Sequence, residues 1–508
     1  MKKILLSLSV CLSVLSFTSC EDFLTVESPD QLTSSSFWRN KADAEAGLAA
    51  AYSKMESSTD VWGFAEIHWP VEAYREDIIN MGTDALNYQN WTELAFFNYT
   101  NGNSQFSMYW QDNYSGISYC NQVIEKVAEI PAPNISDSDK HQIIQEAKFL
   151  RAFYHTKLLM NWNQIVVRDK YITSQGDLSK EISLRTEAWD FIVKDLVDAT
   201  SLPASQPTDQ IGRATKGAAY SYLGWIYLTR AYEEPARKEE FLTAAVEALN
   251  KVEGYELVKD FLSMFNGKNK NSKESIFELQ FSMSSDNGAY YRTALHRWIG
   301  VSELWGWDEI LPSQSLVDEY MKEGKTSVTG AYDSRLYATI FFQDPYFNDG
   351  TGKVYGYDYN DWFQNSEGVP YNRPAFRKFM PATMEELEMS RTAVNIPLMR
   401  YSNVLLMLAE ALNELGRTSE AIPYINQVRE RADMPAMKGT SQVDVRAQIE
   451  HERILEFPLE NYRFYDLRRW GKVKEALSAV GRNEFNPDKN NFYPIPFIEI
   501  ISNDKISQ

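Results

Sequence analysis

Paired amphipathic segments constrain the fold of this chain more than any other feature of its sequence. In residues 400–416, apolar side chains recur at steps of three and four, which places them on one face of a helix. These side chains are Tyr401, Val404, Leu405, Leu408, Leu412 and Leu415. Gly416 closes this helix, and a second helix is predicted from about Ser419 to Ala432, before Pro435. Two such helices joined by a short turn are expected to pack as a hairpin.

Small residues stand where the paired helices would approach each other closely. Ala409 takes this place in the first helix above and Ala421 in the second, while Gly224 takes it in another helical segment. The segments 139–161 and 185–200 form a further pair. Small residues at these places are typical of tetratricopeptide-like repeats. Generic helix packing is the alternative, because small residues are common wherever helices cross.

The remaining sequence indicates elaborations carried by a helical frame. The helical pairs span about 139–252 and 400–471. By contrast, residues 58–104 and 255–398 are rich in Gly, Pro, Asn, Asp and aromatic residues, which predicts loops, short strands and short helices. We therefore predict a single, mainly α-helical domain over 37–508.

The N-terminus indicates export from the cytoplasm. Two lysines precede an apolar run over 4–17, and Cys20 follows shortly after it. This is the pattern of a secretory signal peptide that ends at a cysteine. We predict that residues 1–19 are removed, that Cys20 is lipidated and that 20–36 form a tether. The alternative is an ordinary signal peptide with a chance cysteine.

Charge and cysteine content narrow the classes of partner. The 508 residues carry a net charge of −19, with 70 acidic and 51 basic side chains. An acidic body is repelled by nucleic acid and by anionic lipid headgroups, so acyl chains are the expected means of membrane attachment. Of three cysteines, Cys11 leaves with the signal peptide and Cys20 would carry lipid. Cys120 is therefore left without a disulfide partner.

Seven segments spread over nearly the whole chain carry a resemblance to a known family. They are SCEDFLTVESP (19–29), FWRNKADAEAGLAAAY (37–52), EAKFLRAFYHTKLL (146–159), GRATKGAAYSYLGWIYL (212–228), PLMRYSNVLLMLAEALNELG (397–416), ERILEFPLENYRFYDLRRWG (452–471) and YPIPFIEI (493–500). In this order they resemble the SusD/RagB-like lipoproteins of the Bacteroidetes. Asn461 stands where that family often has Gly, and Asn tolerates a left-handed backbone better than most residues.

The resemblance implies a fold, a location and a partner. The implied fold is α-helical, with tetratricopeptide-like hairpins and an irregular ligand-binding part. The implied location is the cell surface, on the outer face of the outer membrane, held by the lipid anchor. The implied partner is a SusC-like, TonB-dependent β-barrel transporter, over which the lipoprotein acts as a lid. The implied cargo is an oligosaccharide or polysaccharide, and in some members a peptide.

Loop aromatics beside polar residues are the candidate ligand-binding groups. An aromatic ring can cover the C–H face of a sugar, while amides, carboxylates and guanidinium groups bond its hydroxyls. The predicted ligand-binding residues are Tyr88, Asn90, Trp91, Tyr290, Tyr291, Arg292, Trp298, Trp305 and Trp307. A third segment interleaves Asp and Asn with the rings of Tyr355, Tyr357, Tyr359 and Trp362. Packing inside the protein is the alternative for each ring.

No catalytic motif is present in the sequence. It has no H-E-x-x-H, no G-x-S-x-G and no phosphate-binding glycine loop, although a glycosidase carboxylate pair could be any of many Asp and Glu residues. We expect no catalytic residues and no cofactor. Calcium at Asp349, Asp358 and Asp361 is an alternative that lacks the EF-hand spacing. The predicted function is glycan capture and delivery to the transporter. The alternatives are a peptide-binding member of the family, a surface polysaccharide hydrolase and a scaffold that binds only protein.

Overall fold

The computed structural model describes residues 37–55, 70–283 and 292–506, and within them the chain forms 21 helices and six short strands. The helices are α1 (Lys41–Ser53), α2 (Pro70–Ala73), α3 (Gln89–Ala95), α4 (Ser104–Glu129), α5 (Asp137–Asn161), α6 (Arg185–Ala199), α7 (Lys216–Glu233), α8 (Lys238–Leu249), α9 (Leu295–Ile299), α10 (Gln314–Met321), α11 (Ser334–Thr339), α12 (Pro345–Asn348), α13 (Tyr359–Trp362), α14 (Met384–Glu388), α15 (Tyr401–Glu414), α16 (Thr418–Arg431), α17 (Gln442–Glu456), α18 (Arg463–Trp470), α19 (Val473–Ala479), α20 (Pro487–Asn490) and α21 (Phe497–Ser502). The strands are β1 (Ile79–Met81), β2 (Ser275–Leu279), β3 (Ile310–Pro312), β4 (Ile340–Phe341), β5 (Ala375–Phe376) and β6 (Ile396–Arg400). The mainly α-helical fold predicted from the sequence is confirmed.

The longer helices pack in succession and form the frame of the molecule. Helix α5 lies between α4 and α6, α7 packs on α6 and α8, and α8 packs on α15, which also contacts α16 and α17. Their apolar faces belong to one cluster of buried residues that extends from Ala44 to Tyr493. Burial of this surface is the main favourable contribution to folding. None of the helices in the described ranges is long and apolar enough to cross a membrane.

Local sequence signals set where these helices begin and end. The Ser136 side chain accepts a hydrogen bond from the Asp139 amide at the start of α5, and Ser441 caps α17 in the same way. Gly416 adopts φ +75° between α15 and α16, as its place in the predicted turn requires. Asn461 adopts φ +60°, a left-handed conformation that glycine adopts most easily and that Asn tolerates better than most other residues.

Three two-stranded antiparallel pairs organise the loop-rich parts. Strand β1 pairs with β3, β2 with β6 and β4 with β5. In the first pair, Met81 lies opposite Ile310 and Ile79 opposite Pro312. This pairing fixes the loop that follows β1 against the loop that precedes β3, although more than 200 residues separate them in sequence.

Candidate ligand-binding site

The β1–β3 pair brings two distant aromatic segments together. Just beyond the pair, the Gly82 amide donates to the Glu309 carbonyl with an N···O distance of 2.9 Å. A Cβ atom at Gly82 would lie only 1.8 Å from the Asp308 carbonyl oxygen, so this close approach requires glycine. Tyr88 and Trp91 follow Gly82 and therefore meet the segment that contains the predicted tryptophans.

Four of the predicted rings form a continuous row, which we call the inner row: Tyr88, Trp91, Trp298 and Trp307. Successive ring centroids are 4.4 Å apart for Tyr88 and Trp91, 4.9 Å for Trp91 and Trp298, and 5.1 Å for Trp298 and Trp307. Trp91 and Trp298 are buried, whereas Tyr88 is 45% exposed. The buried tryptophans thus support the row from beneath, and Tyr88 presents its ring to solvent.

The loop of residues 300–308, here called the tryptophan loop, is held by backbone contacts that only small residues allow. A Cβ atom on Gly306 would lie 1.9 Å from the carbonyl carbon of Gly300. Arg297 closes the loop at its base, because its guanidinium donates to the Trp305 carbonyl and its own carbonyl accepts from the Trp307 amide at 2.7 Å. Trp305 itself adopts φ +55°, a left-handed conformation uncommon for a bulky residue.

A second group of rings, the outer row, consists of Trp305, Trp362 and Tyr357. The Trp305 and Trp362 centroids are 5.2 Å apart, and those of Tyr357 and Trp362 are 5.7 Å apart, both pairs edge to face. Trp305 is 41% exposed and Tyr357 is 56% exposed. Residues from two of the segments singled out in the sequence therefore share one exposed aromatic surface.

An ion-pair cluster braces the tryptophan loop, and the sequence analysis missed its residues. Arg373 lies 2.5 Å from a carboxylate oxygen of Glu303 and 2.6 Å from one of Asp308, while the Tyr371 hydroxyl donates to Glu303. Burial opposes ionisation of Glu303, but the hydrogen bonds from Arg373 and Tyr371 outweigh it and lower the pKa of that carboxyl. Tyr371 is exposed, and the continuation of Tyr and Asn residues beyond Trp362 was a signal that could have drawn attention to it.

The other predicted residues differ from one another in exposure and in the contacts they make. Asn90 is exposed and its amide donates to the Ser104 hydroxyl at 2.6 Å. Arg292 is half-buried and donates to the Met283 carbonyl at 3.3 Å. Tyr359 is buried, and its ring stacks on Phe363 with centroids 4.1 Å apart. Tyr290, Tyr291 and Cys20 lie outside the described residues.

The acidic residues named for calcium also have structural partners. Asp358 and Asp361 form the capping box of α13, and Asp358 is paired with Lys353. The expectation of no cofactor stays a prediction, and calcium at Asp349, Asp358 and Asp361 stays the alternative to it.

The helical frame and the exposed rings on its loops define a class of mainly α-helical proteins with a loop-borne candidate binding site. Two family models match the chain: residues 22–228 match one described as starch-binding associating with outer membrane, and residues 273–508 match that of the SusD family. The chain belongs to the SusD/RagB-like family. The resemblance carried by the seven sequence segments is thereby confirmed.

Known relatives match over almost their whole length. SusD-like protein P38 of Formosa agariphila is 26% identical over 527 residues, which cover 100% of this chain and 98% of that protein. A SusD superfamily protein from Bacteroides vulgatus has a structure that matches with a TM-score of 0.79 and 25% identity, covering 92% of this chain and 98% of that one. A laminarin-binding SusD-like protein matches with a TM-score of 0.72 and 26% identity, covering 92% and 99% of the two chains.

Proposed function

We propose that this protein is a non-catalytic, cell-surface glycan-binding lipoprotein that passes captured oligosaccharide to a SusC-like, TonB-dependent transporter. The observation that carries the proposal is the set of exposed rings in the two rows: Tyr88 rests on buried Trp91, and Trp305 and Tyr357 pack on Trp362 beside the braced tryptophan loop. Rings fixed in this way lose little conformational entropy when a ligand binds, which favours affinity.

The chemistry of the surface suits a sugar better than an apolar ligand. Exposed rings can cover the C–H faces of successive sugar units, and the side chains of Glu303, Arg373 and Asn90 beside them can bond hydroxyls. The laminarin-binding relative supports the same class of ligand, and laminarin oligosaccharides therefore belong among the test ligands. The family model that matches residues 22–228 is described as starch-binding associating with outer membrane, and this supports the proposed location.

Replacement of Trp305, which is 41% exposed, tests the proposed binding site. We expect Trp305→Ala to weaken oligosaccharide binding by about 2 kcal/mol, roughly thirtyfold in Kd, because a central tryptophan contact is lost. Isothermal titration against laminarin oligosaccharides, starch oligosaccharides and other neutral glycans measures this. Tyr119→Ala is the matched control, because Tyr119 lies on α4 and is 39% exposed, close to the 41% of Trp305.

Three results would contradict the proposal for this surface. Unchanged affinity of Trp305→Ala would place the binding site elsewhere. Binding of peptides in place of every glycan would favour the peptide-binding alternative. Release of new reducing ends on long incubation, abolished by a single Asp or Glu substitution, would identify a hydrolase.

The lipid anchor is tested separately from ligand binding. In cells that lack the transporter, Cys20→Ala is expected to move the protein from the membrane fraction to the soluble fraction, because acyl chains are the proposed attachment. Immunoblotting of fractionated cells measures this, with Cys120→Ala as the control at a buried cysteine.

Copurification of the wild-type protein with a TonB-dependent transporter from detergent-solubilised outer membrane tests the proposed partner, and its failure would contradict the delivery step.

A further inference from the structure

A cavity of about 570 Å³ lies among the segments 259–268, 334–356 and 377–384, and no part of the proposed glycan surface lines it. We call it the basic cavity, because Lys259, Lys268, Lys353 and Arg377 line it. The only acidic residues among its lining are Asp260 and Asp433, within the described part of the chain. Its walls thus carry two more positive than negative charges, in a protein whose net charge is −19.

The four cations of the basic cavity differ in how far they are already neutralised. Lys259 is 2.5 Å from Asp433, and Lys353 is paired with Asp358. Lys268 is exposed, and among the described residues its ammonium group has no ion-pair partner. Lys268 can therefore supply an uncompensated positive charge to a ligand.

Arg377 is the most constrained of these cations. Its guanidinium donates to the Tyr337 carbonyl at 2.8 Å and lies over the Phe341 and Phe347 rings, 5.3 and 5.5 Å from their centroids. In the described ranges, no carboxylate lies within ion-pair distance of it. Burial lowers the pKa of Arg377 despite the nearby phenol of Tyr346 and the carboxylate of Asp260. A guanidinium held in one orientation with donors to spare matches the planar geometry of a carboxylate.

Three tyrosine rings also line the basic cavity. Tyr337 and Tyr346 line the cavity with ring centroids 4.4 Å apart, and Tyr355 lines it as well. A Cβ atom at Gly352 would lie 1.9 Å from the Tyr346 ring, so glycine there allows the ring its position. The cavity volume falls within the range of about 300–1,000 Å³ usual for small-molecule sites and exceeds what one inorganic anion needs.

We infer that the basic cavity binds an acidic sugar unit, with the carboxylate of a hexuronic acid on Arg377 and Lys268 and its ring against the tyrosines. This inference rests on the proposed function only in taking the ligand to be a carbohydrate. Tyr355 and Gly356 line the basic cavity and the next residue, Tyr357, belongs to the outer row, so the two sites are adjacent in the chain. One uronate-containing chain could therefore contact both, or each site could bind its own ligand.

Titration calorimetry with paired acidic and neutral oligosaccharides tests this inference. The panel consists of galacturonate, mannuronate, guluronate and glucuronate oligosaccharides, each with its methyl-esterified form as the neutral partner. We expect at least one acid form to bind roughly tenfold or more tightly than its ester, and the difference to shrink at 0.5 M salt because a charge contact is screened.

Variants assign the binding to the basic cavity. We expect Arg377→Gln to lose roughly tenfold or more in affinity for the acid form, Arg377→Lys to recover it only in part and Lys268→Ala to lose about threefold. Lys474→Ala is the matched control, since Lys474 is exposed on α19 and does not line the cavity. Lys268→Ala alters only an exposed side chain and therefore tests the site even if substitutions of Arg377 impair folding.

Trp305→Ala separates this inference from the proposed glycan surface, because it should leave binding of a uronate disaccharide unchanged while neutral glycan binding is weakened roughly thirtyfold. The inference is overturned if no acid form binds, if acid and ester bind equally, or if neither Lys268→Ala nor Arg377→Gln weakens the acid form. It is also overturned if sodium sulfate or an acidic peptide competes as effectively as the sugar acid.

Discussion

Glu309 shows how a single residue behind the binding surface can couple stability to pH. It is 1% exposed and lies beside Asp84 and Asp308, and its backbone carbonyl accepts the hydrogen bond from Gly82 that joins the two aromatic segments. Burial, assisted by the neighbouring Asp84 and Asp308 carboxyls, raises the pKa of Glu309 to about 9. Folding therefore favours the protonated acid at this position.

We predict that Glu309→Gln flattens the pH dependence of stability between the ordinary pKa of a glutamate, about 4.3, and the folded pKa of Glu309, about 9. Between the ordinary pKa of about 4.3 and the folded value, the folded protein holds a proton that the unfolded chain has lost, so wild-type stability falls as pH rises, by up to about 1.4 kcal/mol per pH unit. Glutamine cannot ionise, so the variant should lose less stability from pH 5.5 to 8.5. Urea unfolding at three pH values measures this, with exposed Glu475→Gln as the control. An unchanged slope for Glu309→Gln would contradict the assignment.

The sequence indicated several residues of the aromatic surface but not their exposure. Trp305 and Trp298 belong to the same predicted aromatic segment, yet Trp305 is 41% exposed and Trp298 only 7%. Trp298 lies in α9, which has only 5 residues, and Trp305 lies in the loop that follows, so neither has a helical period long enough to distinguish an inward from an outward side chain. The contacts of Arg373 with Glu303 and Asp308 span more than 60 residues, and charge patterns in one sequence do not reveal such pairs.

Among the elements, the helix hairpins were the most predictable part of the fold. Gly224 on α7 was identified as a close-packing position, and a Cβ atom there would lie 2.3 Å from Leu249 Cδ2 at the end of α8. The short strands were not predictable one by one, because β1 and β3 have three residues each and pair only through tertiary structure. Periodicity extends over a whole helix, whereas a three-residue strand leaves almost no pattern.

We predict that Gly224→Val destabilises the α7–α8 hairpin. Overpacking should cost about 1–3 kcal/mol, which exceeds the gain in helix propensity of up to about 0.5 kcal/mol on replacing glycine by valine. Thermal unfolding followed by circular dichroism measures the change. Ala49→Val on the exposed face of α1 gives the cost of valine in a helix without a packing conflict. Equal stability of Gly224→Val and wild type would show that Leu249 can move aside.

Over the whole molecule, a buried ion-pair network joins the loop-rich region to the C-terminal helices. Glu456 at the end of α17 lies 3.1 Å from Arg335 on α11 and 2.9 Å from Arg400 at the end of β6, and it is also paired with Arg431 on α16. Arg400 in turn lies 2.5 Å from Glu274, which precedes β2. Each of these side chains is at most 3% exposed. The network therefore links elements from both predicted regions, 255–398 and 400–471.

The ionisation of Glu456 links the stability of the protein in acid to the ion-pair network, so the pH dependence of stability tests the network. Burial opposes this ionisation, but the positive charges of Arg431, Arg400 and Arg335 outweigh burial and hold the pKa of Glu456 well below its ordinary value. A lowered folded pKa contributes stability that is present above the ordinary pKa of about 4.3 and is lost as pH falls below it. We predict that Glu456→Gln costs about 3–5 kcal/mol at pH 7, because three buried guanidinium groups lose their shared partner.

Urea unfolding at pH 7 and pH 3.5 measures both parts of this prediction. The stability difference between wild type and Glu456→Gln should be large at pH 7 and smaller at pH 3.5, where protonation becomes favourable in the unfolded wild-type chain. Glu420→Gln is the control: its exposed pair with Arg417 should contribute little, because solvent screens it. A Glu456→Gln variant as stable as wild type at pH 7 would mean that the three arginines find other partners, and the network would then not hold the two regions together.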